Sequence, residues 1–93
     1  MGDDAYCAFR DEEILSVHDT PREALIHMAR AALLLAFSNI PEDAYFQLAT
    51  LLHKLVATED TGKTVKVGDA TFYVEQKTEK ELVELYNENF SRR

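Results

Sequence analysis

Lys63-Thr64-Val65-Lys66-Val67-Gly68-Asp69-Ala70-Thr71-Phe72-Tyr73-Val74-Glu75-Gln76 is the stretch in which the hydrophobic period changes from 3.6 to 2. Gly68-Asp69 divides two alternating runs. A glycine first in a two-residue loop predicts a hairpin turn of type II′, with type I′ as the alternative. That register sets Val67 opposite Ala70 and Val65 opposite Phe72. It puts Val65, Val67, Ala70, Phe72 and Val74 on one face, and Lys66, Thr71, Tyr73 and Glu75 on the other. A slip of one residue would undo this sorting.

The segments on either side read as helices. Thr78-Glu79-Lys80-Glu81 is a capping box. It opens a helix whose stripe is Leu82, Leu85, Tyr86 and Phe90, with Val83 beside them. Upstream, Pro41-Glu42-Asp43 starts a helix expected to run to about residue 57, its two carboxylates suited to the positive end of the helix dipole. Earlier still, Thr20-Pro21-Arg22-Glu23 is a second capping box with proline at the first helical position. The helix it starts is expected to end near residue 37, before Ser38-Asn39-Ile40-Pro41, because Pro41 disfavours a helical Ile40.

Residues 1–19 are the hardest to read. Ala5 to Phe9 reads as either a short strand or a helix start. Asp11 to Val17 is expected to form a short helix with Asp11 as its N-cap. The expected fold is therefore α+β, mainly helical: three helices with one β-hairpin, in the order helix-helix-hairpin-helix, after a short N-terminal element. Residues 1–19 form an acidic segment and residues 20–93 one compact domain. A lone hairpin is marginal, so its apolar face is expected on the helices, or residues 5–9 add a third strand.

The chain has 93 residues, one cysteine and a formal net charge of −7. Residues 1–19 hold six acids against one base, whereas residues 63–93 hold six of each. This negative field disfavours direct binding to nucleic acid or to anionic membranes. The start Met1-Gly2-Asp3-Asp4 lacks a signal peptide's basic character, and the lone Cys7 suits a reducing compartment, so a cytoplasmic location is expected.

No constellation announces catalysis, a cofactor or a metal. His18, His27 and His53 lie in different segments, and none is three or four residues from another. Cys7 has Asp3, Asp4 and Asp11 as its charged neighbours, which oppose a thiolate. Paired acids such as Glu42-Asp43 and Glu59-Asp60 read as caps and solvated faces. Tyr73, with Thr71 and Lys66, is a candidate contact surface on the outer hairpin face.

One feature is unusual. From Ala24 to Phe37, twelve of fourteen residues are apolar, where a surface helix shows a stripe and a polar face. The expected function is accordingly a small acidic protein-interaction module, binding rather than catalytic and self-associating. Leu25, Met28, Ala32, Leu34 and Leu35 are its candidate contact residues, and the expected partner is a protein, including a second copy. An alternative is an inhibitor or regulator from a phage or mobile element. That protein would present Asp3, Asp4, Asp11, Glu12, Glu13 and Asp19, with Glu42 and Asp43, to a nucleic-acid-binding partner. A further alternative is a small enzyme or ligand binder at a subunit interface, with His27, Arg30 and His53 as its polar groups.

Overall fold

The computed structural model describes residues 4–91, with side chains to residue 87. In chain order the elements are strands β1 (Asp4–Arg10) and β2 (Glu13–His18), helices α1 (Pro21–Phe37) and α2 (Glu42–Thr58), strands β3 (Val65–Val67) and β4 (Ala70–Thr78), and helix α3 (Glu79–Ser91). The four strands make one antiparallel sheet in the order β2-β1-β4-β3. The expected order helix-helix-hairpin-helix is thus corrected. Two strands come first, and a sheet of four replaces the lone hairpin of a mainly helical fold.

The second correction concerns residues 11–17. They form no helix, and Asp11 is no N-cap. Asp11 and Glu12 are the tip of a hairpin whose last paired residues are Arg10 and Glu13. Asp11 adopts a φ of 57°. Its amide donates to the Thr71 carbonyl at 2.7 Å, extending the β1–β4 pairing, and its carboxylate accepts the Thr71 amide at 3.1 Å. The Tyr73 hydroxyl donates to the Asp11 carbonyl.

The 63–76 hairpin has the expected register, with Val65 opposite Phe72 and Val67 opposite Ala70. Gly68 has a φ of 59° and Asp69 has no positive φ, which fits type II′. All five apolar residues of its inner face are buried. They join Ala8 of β1, the inner faces of α1 and α2, and the half-buried Tyr6 in one core.

Helix starts follow local chemistry. The Thr20 hydroxyl accepts the Glu23 amide at 3.2 Å, and Pro21 occupies the first turn. At α3 the capping box closes both ways. Glu81 donates its amide to the Thr78 hydroxyl at 3.2 Å, and its carboxylate accepts the Thr78 amide at 3.0 Å. The Thr78 hydroxyl also donates to that carboxylate, at 3.1 Å, and with the Thr78 amide it holds the Glu81 carboxyl below its ordinary pKa. Helix α2 ends one residue later than expected, at Thr58, where Glu59 turns left-handed with a φ of 51°.

Helix α1 contacts all four strands, α2 lies along α1, and α3 makes its contacts at β4. The result is a flat molecule of 41 × 33 × 16 Å. Helix α1 packs on one face of the sheet, with α2 beside it. On the other face the sheet is shielded by its own side chains. Phe9 and Tyr73 stack with ring centroids 5.0 Å apart, and the Lys77 ammonium lies 5.9 Å from the Phe9 ring.

Candidate functional site

The arc of α1 that meets the sheet carries Ala24, Leu25, Met28 and Ala32, all buried. Small alanines let the helix sit close to the strands, and Leu25 and Met28 fill the space between. The next arc, with Ala29 and Ala36, meets α2, whose Leu48, Leu52 and Leu55 are also buried. The third arc faces away from the sheet.

That outer arc carries large apolar side chains among the exposed polar residues Glu23, His27 and Arg30. Leu34 is 74% exposed, Phe37 78% and Ile26 39%. Phe46 of α2, 59% exposed, continues the surface. Tyr45 links the two helices here. Its ring meets the Phe37 ring edge to face at 6.1 Å, and the Phe46 ring at the same distance. Alongside runs a shallow groove lined by Ile26, Arg30 and Leu33 of α1 and Ala49, His53 and Val56 of α2. Leu51 is also exposed. It lies five residues beyond Phe46, about 140° round the helix, and so belongs to another side.

The residues expected to form an apolar contact surface are therefore divided. Leu25, Met28 and Ala32 are sealed inside the single chain and offer nothing to a partner. Leu35 is half-buried against the core. Leu34 alone of the five is open. Ile26, Phe37 and Phe46 complete the surface, and only the placement of α2 beside α1 reveals them. Their signal in the sequence was the surplus of apolar residues, which does not say which arc is covered.

The acidic candidates do not form one surface. Asp4 lies at one end of β1, where its carboxylate accepts the Gln76 side-chain amide at 3.1 Å. Asp11, Glu12 and Glu13 lie at the other end, on the order of 20 Å away by strand rise. Asp19 is exposed beside the α1 start, and Glu42 and Asp43 occupy the first turn of α2. Asp3 lies outside the described residues. The carboxylate of Asp11 is engaged by its own turn.

Of the proposed polar trio, Arg30 and His53 line one groove from opposite helices. His27 instead meets His18, with ring centroids 4.2 Å apart. The His18 ring shares a hydrogen bond of 2.8 Å with the Ser16 hydroxyl. Burial, with His27 beside it, holds His18 below its ordinary pKa. The Glu23 carboxylate at 3.8 Å opposes that shift without cancelling it, so this contact is not an ion pair at neutral pH.

Cys7 is buried on the open side of the sheet, and burial pushes its thiol pKa up against the opposing Lys77 ammonium. Tyr73 is half-buried, stacked on Phe9 and bonded to Asp11, so it supports the hairpin instead of forming a free contact surface. Among the described residues no three His, Cys, Asp or Glu side chains are grouped to hold a metal ion. Among them, too, no helix is long and apolar enough to cross a membrane. Comparison of the chain with protein-family models, curated proteins and solved structures finds no match.

Proposed function

We propose that this chain is a small binding module whose outer α1–α2 surface pairs with a second copy of itself, in a cytoplasmic setting. The observation that carries this reading is the group Ile26, Leu34, Phe37 and Phe46, left open on one side of the helical layer. At about 150–200 Å² per large side chain, their exposed fractions amount to on the order of 400 Å² of apolar area. That is within the range of functional patches on single chains. It also approaches the apolar share of one side of a stable interface, about 500 Å² of about 800 Å².

A second copy is the simplest occupant on physical grounds. A two-fold interface needs one patch facing its own copy. Homodimer contacts are the most apolar class, and Ile26, Leu34, Phe37 and Phe46 offer hydrocarbon to such a contact. Arg30 lies between Ile26 and Leu34, four residues from each, and its long stem can lie along the apolar surface with the charged head in water.

The test is sedimentation at micromolar to submillimolar concentration, comparing the natural chain with Leu34→Glu and Phe37→Glu. The natural chain is expected to dimerise. Each variant is expected to be monomeric with an unchanged circular dichroism spectrum, because Leu34 is 74% exposed and Phe37, 78% exposed, meets the half-buried Tyr45 only at its ring edge. Burying Leu34 in a dimer contributes about 1–2 kcal/mol per copy. The substitution should therefore weaken pairing at least about 30-fold. A natural chain that stays monomeric throughout refutes the reading.

A further inference from the structure

Strand β2 is the outermost strand of its side of the sheet, and among the described residues it pairs only with β1. Its six residues make it the longer edge, since β3, at the opposite side, has three. The outward backbone groups of such an edge are a template for another strand. We propose that β2 accepts an extended, basic segment of a partner protein as a fifth strand of the sheet, a surface separate from the α1–α2 contact.

Two kinds of observation select that occupant. The first is apolar. Val17 is 50% exposed and Leu15 41%. Val17 is paired with Cys7, on the sheet face that α1 and α2 leave uncovered. Leu15 has no partner in the register, falling between Ile14 opposite Phe9 and Ser16 opposite Ala8. An incoming strand can set alternate apolar side chains beside Val17 while its backbone bonds to the edge, which is how strand addition divides affinity from specificity.

The second is charge. Residues 11–19 carry Asp11, Glu12, Glu13 and Asp19 and no Lys or Arg. The acids flank both ends of the strand. Arg10 directs its guanidinium over the Phe72 ring at 5.9 Å, on the helix side of the sheet. His18 is held toward its neutral form. With the Asp11 carboxylate turned to the Thr71 amide of β4, two copies meeting edge to edge would bring Glu12, Glu13 and Asp19 of each against the same three of the other, a repulsion of the kind that keeps edge strands from pairing with themselves. A strand with Lys or Arg at its ends meets attraction at the same positions.

The probe is the synthetic peptide Lys-Lys-Val-Thr-Val-Thr-Val-Lys, titrated into the isotope-labelled full chain, with a version carrying Glu for every Lys as control. Binding is expected to shift and slow the exchange of alternate backbone amides within residues 13–18. It should weaken about tenfold on raising salt from 0.05 to 0.5 M, as screening shortens the reach of the acids. The double variant Glu12→Lys/Asp19→Lys, both at exposed positions, should lose at least about tenfold in affinity with an unchanged circular dichroism spectrum, as expected for rim charges. Val17→Thr keeps the strand and should weaken binding a few-fold through lost apolar contact. Shifts confined to α1 and α2, unchanged exchange across 13–18, or equal binding of the acidic peptide would each overturn the proposal. Leu34→Glu leaves β2 intact, so peptide binding should persist in it, and failure of the dimer is separable from failure of the edge.

Discussion

Replacing Asp11 probes the hairpin tip that joins the N-terminal strands to β4. Its φ of 57° is left-handed, a conformation costing most residues about 1–2 kcal/mol and Asp or Asn less, because their side chains bond locally. Its carboxylate accepts the exposed Thr71 amide at 3.1 Å, a contact contributing about 0.5–1 kcal/mol. Asp11→Ala loses both advantages and should cost about 1–2 kcal/mol. Asp11→Asn keeps the acceptor oxygen and the tolerance of positive φ, and should lie within about 0.5 kcal/mol of the natural chain. Asp11→Gly loses the bond but relieves the backbone, so it should also fall near the natural value. Urea denaturation separates these outcomes, and in a domain of this size each kcal/mol moves Tm by about 4–8 °C. An Ala variant as stable as Asn would refute the argument from conformation. An Asn variant as weak as Ala would show instead that the negative charge matters.

Two further outcomes follow from the turn and the histidine pair. Gly68 has a φ of 59°, and a Cβ built there meets nothing within 4 Å. Gly68→Val should therefore cost about 1–2 kcal/mol through backbone strain alone, with Gly68→Asn recovering most of it in the same urea titration. His18 is held below its ordinary pKa by burial first and by His27 second, so the folded chain binds its proton more weakly than the unfolded chain does. Stability from this source is complete above about pH 6.5 and is lost as pH falls through that value toward the lower folded pKa. His18→Gln should flatten stability between about pH 7 and 5, and an unchanged slope would count against the assignment.

The parts of the fold readable in the sequence are those fixed by neighbours in the chain. Thr20 and Glu23, Thr78 and Glu81, and Gly68 each act within three residues, and their helices and turn form where their chemistry places them. The N-terminal strands obey no such local rule. In β1, Cys7, Ala8 and Phe9 are buried in succession, because α1 packs on one face of this central strand and neighbouring side chains, Tyr73 and Lys77 among them, close over the other. A strand buried on both faces shows no alternation. In β2 burial does alternate, but apolar Leu15 and Val17 take exposed positions while Ser16 and His18 take half-buried ones, so the sequence shows no apolar–polar period of two. The turn between them is Asp11-Glu12, not a glycine pair, and acids followed by apolar residues resemble a helix start. The His18–His27 contact was equally hidden, since it depends on where α1 crosses β2 and not on their separation in sequence.

The placement of α1 also explains why its apolar surplus cannot be relieved inside one chain. A helix in a two-layer fold only 16 Å thick has the sheet on one side, a neighbouring helix on another and, among the described residues, nothing beyond. The two covered arcs of α1 are already filled by Leu25 and Met28 against the strands and by Ala29 and Ala36 toward α2. Rotating the helix to bury Leu34 would bring Leu25 and Met28 into water, at about 1.5–3 kcal/mol for each large side chain exposed. The alanines that permit close approach to the sheet would be replaced by side chains too large for the gap. Helix α3 makes its contacts at β4. The open arc is therefore the consequence of a core already satisfied. The self-association proposed above would cover Leu34 and Phe37 without disturbing that core, and this makes the oligomeric state of Leu34→Glu more informative than its stability.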